Sequence, residues 1–150
     1  MSRTSHKLQG FTLIEILVVV ALIAILAAVT IIAINPAKNF ADTRNATRSA
    51  DVTQILNAVT EYTSEEGHAI GDFGTITACT AGADEVGSAV GNVDLGAILV
   101  DEYIVAIPED PTTGSGDGTA TGYTICLTAG GRVEVDAPDA ENGATITVKR

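Results

Sequence analysis

Hydrophobic and polar residues follow three different periods along this chain. From Phe11 to Ile34 runs an apolar stretch of 24 residues, broken by one charged side chain, Glu15, and by Thr12 and Thr30. At about 1.5 Å per residue such a helix spans about 36 Å, enough to cross the hydrocarbon core of a bilayer. The ten residues before it, MSRTSHKLQG, are polar and basic. A secretory signal peptide begins similarly, but its apolar region is shorter and a small-x-small cleavage site follows it. The A-x-A-like sites near Ala24, Ala27, Ala28 and Ala33 keep that alternative open.

Beyond the apolar run the period becomes that of an amphipathic helix. Asn35-Pro36 supplies a cap and a proline suited to a first helical position, which predicts a kink followed by a restart. Val52, Ile55, Leu56, Val59 and Tyr62 then fall on one helical face, and Gly67 is a stop signal. Between Ala41 and Asp51 the sequence is mostly polar, which predicts a stretch exposed in the isolated subunit and available to neighbours in an assembly.

Residues 67–92, rich in Gly, Ala and Thr, predict a loop with one short strand at Thr75–Ala78. Within 94–107, Leu95, Ile98 and Leu99 have helical spacing, and Pro108 and Pro111 end that element. The stretch TTGSGDGTATG predicts an irregular loop. Strict alternation follows: Tyr123, Ile125 and Leu127, then Gly130-Gly131, then Val133 and Val135, a hairpin pattern. Ala144, Ile146 and Val148 alternate again in a third strand. The expected fold class is α+β: a helix from Phe11 to Glu66, kinked near Pro36, whose second half packs on a small antiparallel sheet from residues 122–150. The segments are residues 1–10, 11–34, 35–66 and 67–150, with 67–121 wrapping between helix and sheet.

Composition narrows the function. There is no Trp and there are few aromatics, so the core is built from Val, Ile, Leu and Ala. Without residues 1–10 the chain carries 6 basic and 19 acidic side chains, a net of −13. Such a domain lacks the clustered Lys and Arg that non-specific nucleic-acid binding needs. The histidines are His6 and His68, and no G-x-S-x-G, G-x-G-x-x-G or Walker pattern is present. The paired acids Asp101-Glu102 and Glu65-Glu66 sit at adjacent positions that do not face each other on a helix. Nothing here supplies the parts of an enzyme. Cys79 and Cys126 stand outside any C-x-x-C or His-rich spacing, which disfavours metal or thioredoxin-like chemistry. In an oxidising compartment their default state is a disulfide, with two buried thiols as the alternative.

At Gly10-Phe11-Thr12-Leu13-Ile14-Glu15 the chain resembles the class III signal of type IV pilins and type II secretion pseudopilins. The likeness combines a glycine at the cut, an aromatic first mature residue and a carboxylate within the membrane run. The passage Tyr103…Ile107-Pro108-Glu109-Asp110-Pro111, followed by Gly122-Tyr123-Thr124, is similar to major pseudopilins and short pilins. Many relatives carry a proline where Ile32 stands; here the proline is Pro36.

That resemblance implies cleavage by a prepilin peptidase between Gly10 and Phe11, methylation of the new Phe11 amino group, and polymerisation into a helical fibre. The precursor would be a single-pass protein of the cytoplasmic membrane, and the fibre extracytoplasmic or at the cell surface. Its partners would be identical or related subunits, the peptidase, the inner-membrane assembly platform and the lipid bilayer. A carboxylate inside a bilayer costs roughly 2.5–3.5 kcal/mol at the centre and less near the edge. Glu15 would offset this by pairing with the amino terminus of a neighbour's Phe11; the alternative is a side chain that snorkels to the interface. Arg3 and Lys7 suit a cytoplasmic leader. Lys38, Arg44 and Arg48 would contact lipid phosphates, acidic residues of neighbouring subunits, or only water. Asp110 and Asp117 flank a loop similar to one that holds Ca²⁺ in major pseudopilins, with an ordinary acidic turn as the alternative. No other cofactor is implied. Three functions remain: a type IV pilus subunit, a secretion pseudopilin, and a binding domain on an uncleaved signal anchor.

Overall fold

The computed structural model describes residues 10–150. Arg3, His6 and Lys7 lie outside the described residues. The chain forms two compact units, the first reaching to Asn39 and the second running from Phe40 to Arg150.

In the first unit α1 spans Leu13–Ile34. It is long and apolar enough to cross a membrane, and none of its residues is buried. A helix suits that setting because its backbone polar groups bond within the segment. The helix ends at Asn35, which takes the left-handed conformation at φ 45°. The Asn35 side chain also accepts the Lys38 amide at 3.3 Å, and the Asn39 side chain donates to the Ile34 carbonyl at 3.1 Å. One residue thus closes α1 and opens α2 (Pro36–Ser64), whose first residue, proline, has no amide hydrogen left unbonded. The break falls at the predicted place.

The second unit is built on the rest of α2. Val52, Ile55, Leu56, Val59 and Tyr62 are buried, as their spacing predicts. The expectation that 41–51 is exposed holds for Asp42, Thr43, Ala46, Thr47, Ser49 and Ala50 and fails on one face: Ala41 and Arg48 are buried, and Arg44, Asn45 and Asp51 are half-buried. Those positions continue the same helical face toward the N-terminus. The polar residues among them meet polar partners from distant loops, so polarity did not mean exposure.

Four antiparallel strands form one sheet in the order β1 (Asp84–Glu85), β2 (Thr124–Leu127), β3 (Val133–Asp136) and β4 (Thr147–Lys149). Ile125 faces Val135 across β2 and β3, and Val135 faces Val148 across β3 and β4. The turn between β2 and β3 places Gly131 at φ 74°, a conformation glycine adopts without steric cost. The fourth strand, β1, comes from the region expected to be loop. Thr75–Ala78 is not a strand; Ala78 forms a single parallel bridge to Leu127.

The intervening segment contributes much of the core. Phe73, Ile76, Val86, Val93, Leu95, Leu99 and Ile104 join α2 and the sheet residues Tyr123, Ile125 and Val135. The short helix in 94–107 is α3 (Gly96–Leu99), whose Ala97 amide donates to Asp94 at 3.1 Å. The glycine-rich loop after Pro111 is fastened by backbone bonds from Gly116 and Gly118 to Glu109, and by Ser88 and Ala89 amides donating to the Gly118 and Thr119 carbonyls. Gly87 allows that approach, because a Cβ there would lie 2.3 Å from the Thr119 carbonyl oxygen.

Candidate functional site

Gly10 and Phe11 precede the first turn of α1, and both are exposed. Thr12 caps that turn with extended backbone, φ −80° and ψ 152°. Its hydroxyl accepts the Glu15 amide at 3.3 Å, while Glu15 Oε2 accepts the Thr12 amide and hydroxyl, each at 2.7 Å. This capping box gives the carboxylate two local donors. Both bonds fall on one oxygen; Oε1 accepts none among the described residues. Around it Phe11 is 85 % exposed, and Leu13 and Ile14 are also bare. The cluster is therefore a carboxylate with two local donors on one oxygen, at the head of a helix that is apolar on all sides. It can accept a cation, and the helix can bury itself in lipid or against other helices.

In the second unit the polar residues of α2 converge on two loops. Arg48 is fully buried, with its guanidinium bonded to both oxygens of Asp110, Nε to Oδ2 at 2.5 Å and Nη2 to Oδ1 at 3.1 Å. Nη1 donates to Glu141 Oε2 at 2.9 Å and to Asn45 at 3.1 Å, and Nη2 donates to the Thr112 hydroxyl at 2.8 Å. Arg44 holds Glu141 in a fork at 2.6 and 2.5 Å. Asn45 clamps the Glu141 backbone, donating to its carbonyl at 2.8 Å and accepting its amide at 2.9 Å. Burial opposes ionisation of Asp110. The donors from Arg48, Thr112 and the Thr113 amide outweigh it and hold the carboxyl well below the usual carboxylate range. Hydrogen bonds from Arg44 and then Arg48 hold Glu141 down to about 2. Nearby, the buried Tyr123 hydroxyl donates to Asp51 at 2.6 Å; burial, then that carboxylate, push its pKa up.

Arg44 and Arg48, expected to face lipid, neighbours or water, are thus engaged inside the unit. Glu141, which spacing did not single out, is the hub of this network. A basic residue lying on the apolar stripe of α2 was the available signal, since a buried guanidinium requires carboxylate partners. Asp110 is committed to Arg48 and its own turn. Gly122 lets the strand entry pass close to that turn: a Cβ there would lie 2.8 Å from Asp110 Cβ, and φ is +77°. Asp117 turns to the Thr119 hydroxyl at 2.6 Å; that bond first, then Ser115 and the Thr119 amide, hold it at about 2. Asp110 and Asp117 do not converge with a third ligand. Among the described residues the one such group is Cys79, Cys126 and Glu134. Its two sulfurs are bonded to each other, with Cα atoms 5.0 Å apart.

Residues 6–33 match the family model described as the prokaryotic N-terminal methylation motif, the class III signal of type IV pilins and pseudopilins. The match covers the Gly10-Phe11 junction, Glu15 and nearly all of α1. No curated protein and no solved structure gives a match.

Proposed function

We propose that this chain is the precursor of a filament subunit of the type IV pilin and pseudopilin class, a structural protein and not an enzyme. The observation that carries the proposal is the methylation motif over residues 6–33, set on a helix whose whole apolar surface is exposed. A bare apolar cylinder is unstable in water, so it must sit in a bilayer or in a bundle of other helices. A cleaved pilin-like subunit uses both in turn. Stored as a precursor, α1 crosses the membrane; after cleavage between Gly10 and Phe11 it leaves the lipid and packs among copies of itself. The new ammonium group of Phe11 needs an anion in that dry bundle, and Glu15 Oε1 of a neighbour is the acceptor.

Mass spectrometry of the protein from a host with an active prepilin peptidase tests this. The mature chain should begin at Phe11 and carry one extra methyl group on its amine. An intact amino terminus upstream of Gly10 in that host would reject the proposal and favour an uncleaved anchor. Gly10→Ala should be cut more slowly, whereas a bulky residue at position 10 should block cutting.

A further inference from the structure

The turn that begins at Glu141 contains the one Asn-Gly pair of the chain, Asn142-Gly143. Asn142 has φ 57° and Gly143 φ 70°, and the Ala144 amide donates to the Glu141 carbonyl at 3.1 Å. Positive φ at both central residues marks a type I′ turn, for which Asn-Gly is a preferred pair. Both residues are exposed, and a Cβ on Gly143 would meet nothing within 4 Å. The Asn142 side chain donates to Asp42 Oδ1 at 2.9 Å, which ties the turn to the start of α2. Glu141 itself is held there by Arg44, Arg48 and Asn45.

An asparagine side chain reacts with its own backbone when the next residue's nitrogen reaches Cγ. The other five asparagines are protected from this. Asn35 precedes Pro36, whose nitrogen has no hydrogen to lose. Asn39, Asn45 and Asn57 lie inside α2, where the following amide is fixed in the helix ladder. Asn92 is followed by a β-branched residue, Val93, whose amide donates to the Glu85 carbonyl at 2.9 Å. The Gly143 amide donates to no backbone carbonyl among the described residues, and no side chain shields it. In a type I′ turn that nitrogen points away from the asparagine side chain. Rotating the peptide between Asn142 and Gly143 gives a type II′ turn and swings the nitrogen alongside Cγ. The rotation keeps φ positive at Asn142 and reverses its sign only at Gly143. Glycine populates both signs about equally, so the reactive geometry is one peptide rotation away, with the turn still closed.

We propose that Asn142 is a site of spontaneous covalent modification, deamidating through a succinimide closed by Gly143. The Gly143 nitrogen bonds to Asn142 Cγ and loses its proton, while the Cγ–Nδ2 bond breaks and ammonia leaves. Water then opens the ring. Addition at Cγ gives aspartate, and addition at the main-chain carbonyl gives isoaspartate, with one extra methylene in the backbone. Water is the one co-reactant. Either product sets a carboxylate against Asp42, where an amide had donated, so an attraction becomes a repulsion between like charges. The extra methylene of isoaspartate also takes the turn out of its type I′ geometry, next to Glu141. The grip of α2 on this turn therefore loosens as the chain ages, whatever becomes of its amino terminus.

Ageing of the full-length wild-type chain, kept folded in detergent at mildly alkaline pH, tests the site. Mass spectrometry reads amide-to-acid conversion residue by residue, and an isoaspartyl methyltransferase with labelled S-adenosylmethionine reads isoaspartate. Conversion at Asn142 should run about tenfold or more faster than at Asn45, Asn57 or Asn92, because glycine alone leaves the attacking nitrogen unhindered. The methyl label should gather on the same residue. Asn142→Gln keeps an amide but must close a larger ring, so position 142 of that variant should show neither signal while the Cys79–Cys126 disulfide stays intact. Conversion at Asn142 no faster than at the other three would overturn the proposal, as would equal label at position 142 in the folded Gln variant. In the converted chain the Glu141 amide, which donates to Asn45 Oδ1, should exchange its hydrogen faster than in the fresh chain. Unchanged exchange there would overturn the loosening of the turn.

Discussion

Glu15 accepts both donors of Thr12 through one oxygen, and this makes two roles separable by mutation. As a cap it needs only an acceptor, which Gln supplies as well as Glu. As the partner of a neighbour's amino terminus it needs its charge. Glu15→Gln should therefore leave α1 inserted and the precursor cleaved, yet reduce filament yield nearly as far as Glu15→Val does. Both changes make membrane residence easier, so a defect cannot be assigned to insertion. Immunoblots of sheared and cell-bound fractions measure it. Normal fibre yield from Glu15→Gln would leave Glu15 a cap and nothing more.

At the scale of elements, the Arg48 network fastens α2 to two loops that lie far from it in sequence, at Asp110 and at Glu141. Removing the guanidinium leaves Asp110 buried without its counter-ion. Arg48→Ala should therefore cost about 3–5 kcal/mol, read from denaturant melts of the full chain in detergent. A loss below about 1 kcal/mol would place the pair among the weakly contributing ones. The pH dependence has a definite sign. Asp110 and Glu141 both have depressed folded pKa values, so their contribution is complete above the ordinary carboxylate range near 4. It is lost as pH falls from there through about 2, the value for Glu141. Between those limits wild type should lose stability more steeply than Arg48→Ala.

The same network shows why sequence periodicity found some of this architecture and missed the rest. Apolar spacing placed Val52 to Tyr62 and the hairpin at Ile125 and Val135, because burial of large apolar groups sets those positions. It could not place Arg48, whose burial depends on carboxylates 62 and 93 residues away in the chain. The edge strand β1 escaped for a related reason. Two residues carry no period, and their pairing with β2 is set by the path of the loop. At the amino terminus the motif was legible because each of its parts is local: a junction, a cap and an acid within one turn.

For the molecule as a whole, Cys79–Cys126 closes a stretch that supplies seven of the seventeen residues in the buried core cluster. Between the two cysteines lie Val86, Val93, Leu95, Leu99 and Ile104, all buried, together with β1 and α3. These elements are short, so little secondary structure of their own holds them in place. Cys79 is held against the sheet by backbone bonds as well, its amide donating to the Leu127 carbonyl at 2.9 Å while the Leu127 amide donates to Thr77. Sulfurs 47 residues apart in sequence remove loop entropy from the unfolded chain, worth about 4 kcal/mol. That approaches the whole stability of many small domains, which lies at about 5–15 kcal/mol. In an oxidising compartment such a bond forms and persists, so the stability of the domain is linked to the compartment it occupies. Non-reducing peptide mapping of the mature protein should recover the two cysteine peptides joined. Reduction should lower the melting temperature of the full chain in detergent by the order of 15 °C, with the segment around α3 the first to lose hydrogen-exchange protection. Two thiols that alkylate without reductant would refute the bridge in the mature protein. An unchanged melting temperature on reduction would instead show that the packing of Leu95 and Leu99 holds the segment unaided.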